Sequence, residues 1–164
     1  MTGWILLERC LWAAMAALGF ATLFTVPLRA FWVVASLAVI GYALRSAGMI
    51  FGLNLVIATL IASCSIGVLA IQAAHWVHTP TTVFMAPAVI PMVPGVFAYR
   101  TMMGLLEISS TQSAPLELLS TTAHNGLTAS FTLLSLAIGV SLPSLLFRNK
   151  SVKEIRFFKS LKVW

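Results

Sequence analysis

Long apolar runs separated by short polar punctuation fill most of the chain. Trp4–Val26 supplies 23 mostly apolar residues, about 35 Å as a helix, enough to cross a hydrocarbon core of roughly 30 Å. Pro27 and Arg29 interrupt, and Ala30–Leu44 then gives only 15 residues before Arg45, about 22 Å of helix. That stretch reads as a short crossing with Arg29 and Arg45 snorkelling to opposite interfaces, or as a re-entrant element; we favour the crossing. Phe51–Ala74 is a clear span that ends in His75, Trp76 and His78, an interfacial cluster ahead of Pro80. Thr81–Met103 is apolar but proline-interrupted. Leu105–Leu119, with Glu107, Gln112, Pro115 and Glu117, reads as a polar connector with room for a short interfacial helix, and Leu118–Phe147 as the last span. The pattern predicts an all-α polytopic membrane protein with five transmembrane segments, or four if the short one does not cross, one of them discontinuous.

The discontinuity lies at Pro87–Gly95, P-A-V-I-P-M-V-P-G. Pro87, Pro91 and Pro94 lack an N–H, so the carbonyls of Val83, Pro87 and Ile90 lose their helical partners. An unpaired carbonyl in hydrocarbon costs several kcal/mol, so such backbone survives only inside protein or beside a water-filled cavity, where transporters hold substrate or coupling ions. The alternative is a kinked helix whose free carbonyls are capped by neighbouring hydroxyls. After Pro94 a second half-helix would begin with the N–H groups of Gly95, Val96 and Phe97 free to meet an anion. Tyr99 and Arg100 follow with a hydroxyl and a permanent charge, so a carboxylate-bearing substrate fits Pro91, Pro94, Gly95, Tyr99 and Arg100. Arg100 has a competing reading, snorkelling outward or pairing with Glu107. On this reading Gly95→Leu, by crowding the start of the half-helix, abolishes flux.

On the last span Thr121, Asn125, Thr128, Thr132, Ser135 and Gly139 recur at steps of four and three, one narrow polar and small face. Such a face packs against another helix or walls a pathway. Packing is favoured for most of it, with Asn125, whose amide needs partners, and its neighbour Thr128 as candidate substrate contacts. Ala58 and Ala62, and Ser63 and Gly67, are small-x-x-x-small packing pairs. Asn54 reads as a helix cap.

Composition narrows the function classes. With 60% hydrophobic and 9% charged residues and a mean hydropathy of +0.99, the chain is not a soluble core. Six of the ten basic residues fall between Arg148 and Lys162, dividing the chain into a transmembrane domain (1–147) and a basic tail (148–164). Beside a bilayer such a tail marks the cytoplasmic side and meets anionic lipid rather than nucleic acid. It is expected as an interfacial amphipathic helix or a disordered segment. Glu8 and Arg9 within the first apolar run, with no basic region ahead of them, argue against a cleaved signal peptide. There is no Asp, no G-x-S-x-G and no glycine-rich phosphate loop, so no enzyme is expected and no cofactor is implied. Cys10 and Cys64 read as packing residues, and His75, His78 and His124 offer no metal site without a further ligand.

Pro87–Tyr99, P-A-V-I-P-M-V-P-G-V-F-A-Y, resembles the signature segment of the threonine/serine exporter family, closest to its short-subunit branch. G-F-A-T-L-F-T-V-P-L-R-A at Gly19–Ala30 and N-G-L-T-A-S at Asn125–Ser130 follow the same order of elements, so the resemblance covers roughly Leu11–Leu146. It implies a small inner-membrane subunit that works with a separate larger membrane subunit to export succinate, with room for a higher oligomer; fused members export threonine and serine. Pro91, Pro94, Gly95 and Tyr99 carry over from it. Arg100 rests on local chemistry alone.

Overall fold

A computed structural model describes residues 3–77, 79–111 and 115–160, and every regular element in them is helical. Helix α1 (Gly3–Leu23) ends where Thr25 turns into the left-handed region at φ 52°. The Thr25 N–H donates to Thr22 O (3.1 Å) and Val26 N–H to Ala21 O (3.0 Å), the paired closure that satisfies a helix's last carbonyls. A single turn at Leu28–Ala30 leads into α2 (Phe31–Ile50). This helix closes in the same way on Gly52, φ 83°, whose N–H meets Met49 O (3.1 Å) while Leu53 N–H meets Gly48 O (3.0 Å).

Helix α3 (Leu55–Val77) follows. Asn54 stands just ahead of it, exposed, its carbonyl accepting from Ala58 N–H at 2.9 Å. Then come α4 (Thr81–Val89), a turn at Ile90–Met92, α5 (Gly95–Ser110) and the 45-residue α6 (Leu116–Ser160).

Three sequence expectations change. The short second segment is a full 23-residue candidate span, Leu28–Ile50, because Arg45 lies within the helix rather than ending it. The polar connector is mostly helix: α5 runs on through Glu107 to Ser110. Pro87 does not break the chain; it is buried inside α4, and the bend of 59° falls between Met92 and Gly95. His78 and Gln112 lie outside the described residues, as do the side chains of His75 and of residues 147–160. The α6 backbone continues as helix across the boundary at 147.

The core gathers small faces of α1 and α3 around larger side chains of α2, α4 and the Ile90–Met92 turn. Ala17, Ala21, Ala62 and Ala70 meet Val33, Val34, Leu37, Phe84 and Met92, all buried. Ala58, Ala62, Ser63 and Gly67 are buried too, as their spacing predicts. A Cβ on Gly67 would fall 2.8 Å from Pro143 Cγ and 3.3 Å from Gly139 O, so α3 and α6 approach almost backbone to backbone.

Direction follows from these contacts. Gly41 lies against Ile66 and Gly48 against Ala58, so α2 and α3 are antiparallel. Ser63 Oγ donates to Ser135 O (3.1 Å) and Gly67 meets Val140 and Pro143, so α3 and α6 run parallel. A chain that leaves α3 at one face and enters α6 in the same direction must cross back once between them. The bent pair α4–α5 is therefore a broken crossing rather than a re-entrant loop. Four helices, α1, α2, α3 and α6, are long and apolar enough to cross a membrane, and the bent pair counted as one span makes five.

Candidate functional site

At the break, Val93 is extended (ψ 132°) and Pro94 sits at φ −79°, ψ 57°, so the helical ladder stops for two residues. Of the three carbonyls that the prolines free, that of Ile90 is not the orphan at the break. The Ile90 carbonyl, freed by Pro94, is recovered by Val93 N–H at 3.0 Å. Met92 O is left instead, because the chain turns away before Val96 can reach it, and Arg45 Nη1 donates to it at 2.6 Å. Arg45 is half-buried, five residues or about 8 Å of helix from the end of α2. Rather than snorkelling outward, its guanidinium turns inward and caps the broken segment with a charge-assisted bond.

A cavity of about 380 Å³ opens at this point, lined by Arg9, Tyr42, Arg45, Ser46, Met49 and Ile50. Because α1 and α2 are antiparallel neighbours, the start of one and the end of the other bring Arg9 and Arg45 to one end of the bundle. Tyr42, Arg45, Ser46 and Met49 share a face of α2 at helical spacing. A second cavity of about 270 Å³ shares Arg9 and Tyr42 and reaches Pro91. Among the described residues, the lining of the two carries two guanidinium groups and no acidic side chain. A groove of about 310 Å³ between α4 and α6 is apolar except for Ser141 and offers nothing to a charge.

The predicted site residues separate into three places. Pro91 is half-buried beside the second cavity, and Pro94 is buried at the start of α5. Gly95 is exposed, and its N–H is already taken by Val93 O at 2.9 Å, which removes one donor from the supposed anion site. A Cβ there would meet nothing within 4 Å, so no neighbour within the chain requires glycine at this position. Gly95→Leu is accordingly expected to fold like wild type, within about 0.5 kcal/mol by thermal unfolding in detergent. A larger loss would mean that α5 begins against something.

Tyr99 and Arg100 are exposed, off the face that α5 turns to α6, where Gly104 is buried and Phe97, Thr101 and Ile108 are half-buried. Asn125 and Thr128 lie on α6. Asn125 is 9% exposed and makes no side-chain hydrogen bond among the described residues; Thr128 is half-buried and its carbonyl accepts from Thr132 Oγ1 at 2.6 Å. The polar face of α6 is mainly a packing face. Ser135 and Gly139 close on Ser63, while Thr122, not Thr121, packs on Gly104. Arg45 and Arg9 are what sequence reasoning missed. Their signal was present as two arginines inside otherwise apolar spans, where a charge is costly and calls for a partner.

No solved structure matches the chain. The family model described as "Threonine/Serine exporter, ThrE" matches residues 9–146, which takes in Arg9, the break and the packed part of α6. A family of membrane exporters accounts for an all-helical chain of spans with one interrupted crossing, and by that match the chain belongs to the threonine/serine exporter family.

Proposed function

We propose that the chain is an inner-membrane subunit of a two-component exporter of small carboxylates. Succinate is the leading solute and threonine or serine the next, moved by secondary transport without covalent chemistry. The observation that carries this reading is Arg45, a cation turned into the bundle to hold the break ahead of α5, beside a cavity with no acidic group among its described lining residues. The sequence resembles the YjjB subunit of the YjjP/YjjB succinate exporter, so the partner is a larger membrane subunit of the same family. The basic tail sets the C-terminus in the cytoplasm. Five crossings then place the start of α1, and the cavity of Arg9 and Arg45, at the external end.

The test is efflux of labelled succinate and threonine, in parallel, from cells expressing this chain with and without the larger subunit. Efflux of a carboxylate only when both are present is the expected result. A second reading, a scaffold that conducts nothing, is favoured by the use of the α6 polar face for packing. No efflux of either solute despite a stable co-purified complex would overturn the exporter reading in its favour.

A further inference from the structure

We propose that Arg9 and Arg45, with the hydroxyls of Tyr42 and Ser46, form a binding site for an anionic oxygen group, either the carboxylate of a small solute or the phosphate of a bordering lipid. The solute assignment rests on the export reading; the anion site itself does not.

Two guanidinium groups line one cavity without a carboxylate among its described walls. An anion placed between the two like charges relieves both. Arg45 commits Nη1 to Met92 O, which leaves the rest of its fork of donors for a ligand. Tyr42 and Ser46 add hydroxyl donors on the same face of α2. A volume of about 380 Å³ suits a small molecule. A dianion is matched in charge, whereas the ammonium of a zwitterionic amino acid finds no counter-charge in the lining. Because one arginine serves both ligand and break, occupancy of the cavity bears directly on the backbone at Met92.

The test uses the purified full chain in phosphatidylcholine nanodiscs, with succinate and threonine titrated calorimetrically. Succinate is expected to bind, with threonine at least about tenfold weaker, and Arg9→Gln and Arg45→Lys each to weaken succinate by about tenfold or more. Arg9→Gln is the cleaner variant, since Arg9 is exposed and makes no hydrogen bond among the described residues. A second arm replaces part of the phosphatidylcholine with phosphatidylglycerol and follows thermal stability. Stabilisation by that lipid which both variants lose, with no heat from succinate, assigns the site to a lipid headgroup.

Anion effects absent from wild type, or unchanged in both variants, would overturn the site. Arginine-dependent succinate binding without cellular efflux would leave the site standing and remove the exporter reading. Efflux indifferent to Arg9→Gln, with no binding, would do the reverse.

Discussion

Gly139→Leu is expected to cost more than about 3 kcal/mol and to keep α3 and α6 from closing, the largest single-residue effect we anticipate. Even a bare Cβ at this position would stand 2.8 Å from Ser63 Cβ and 3.0 Å from the Cys64 backbone nitrogen, and would collide with Ser63 Oγ. Backbone cannot rotate aside as a side chain can, so the helices must separate and surrender the packing along their shared face. Ser63→Gly in the same chain removes one of the two obstacles and is expected to restore part of the loss, leaving the Cys64 contact in place. A double-mutant cycle on unfolding midpoints in detergent measures that coupling. Gly139→Leu melting within about 1 kcal/mol of wild type would show that α3 and α6 do not meet here.

Arg45→Leu is expected to destabilise by about 2–3 kcal/mol. Two effects oppose each other. Taking a guanidinium out of water is costly, so an apolar residue in its place saves that desolvation. The substitution, however, removes only one partner: Met92 O belongs to the backbone and stays, unpaired, among apolar side chains. An orphaned buried acceptor is the expensive case, and the desolvation saved is small because Arg45 is only half-buried. Arg45→Lys keeps a donor and is expected to recover part of the loss. Thermal unfolding of the three forms decides the matter, and a leucine variant as stable as wild type would mean that water or another group already serves Met92.

What could be read from the sequence was what composition and period determine locally. The apolar runs marked α1, α3 and α6. The small-residue spacing of Ala58, Ala62, Ser63 and Gly67 marked the face that α3 buries, since close helix approach requires small residues at one-turn intervals. The proline cluster marked the break to within a few residues. What escaped depends on partners distant in sequence. A hydropathy count treats Arg45 as the end of a segment, because nothing nearby reveals that a carbonyl 47 residues on will receive its charge. The orphan was misassigned for a related reason. Counting missing N–H groups finds Val83, Pro87 and Ile90, but whether a carbonyl stays free depends on where the chain turns next, and at Ile90 the Val93 N–H turns back on it.

The face of α6 was only partly legible. A single period assumes one partner along the helix, whereas α6 meets α5 through Thr122 and Gly126 and α3 through Ser135 and Gly139. The buried stripe shifts between the two, which leaves Thr121 exposed.

The parallel pairing of α3 with α6 also has an order in time. The chain emerges from its N-terminus, so α3 is made long before the helix that covers its small face. Ser63 waits for Ser135, 72 residues later, and the intervening crossing must first be threaded back through the bilayer. During that interval Ser63 and Gly67 face lipid. A nascent chain halted before Ser135 therefore carries an open seam down its third helix, and the last helix to arrive completes the fold.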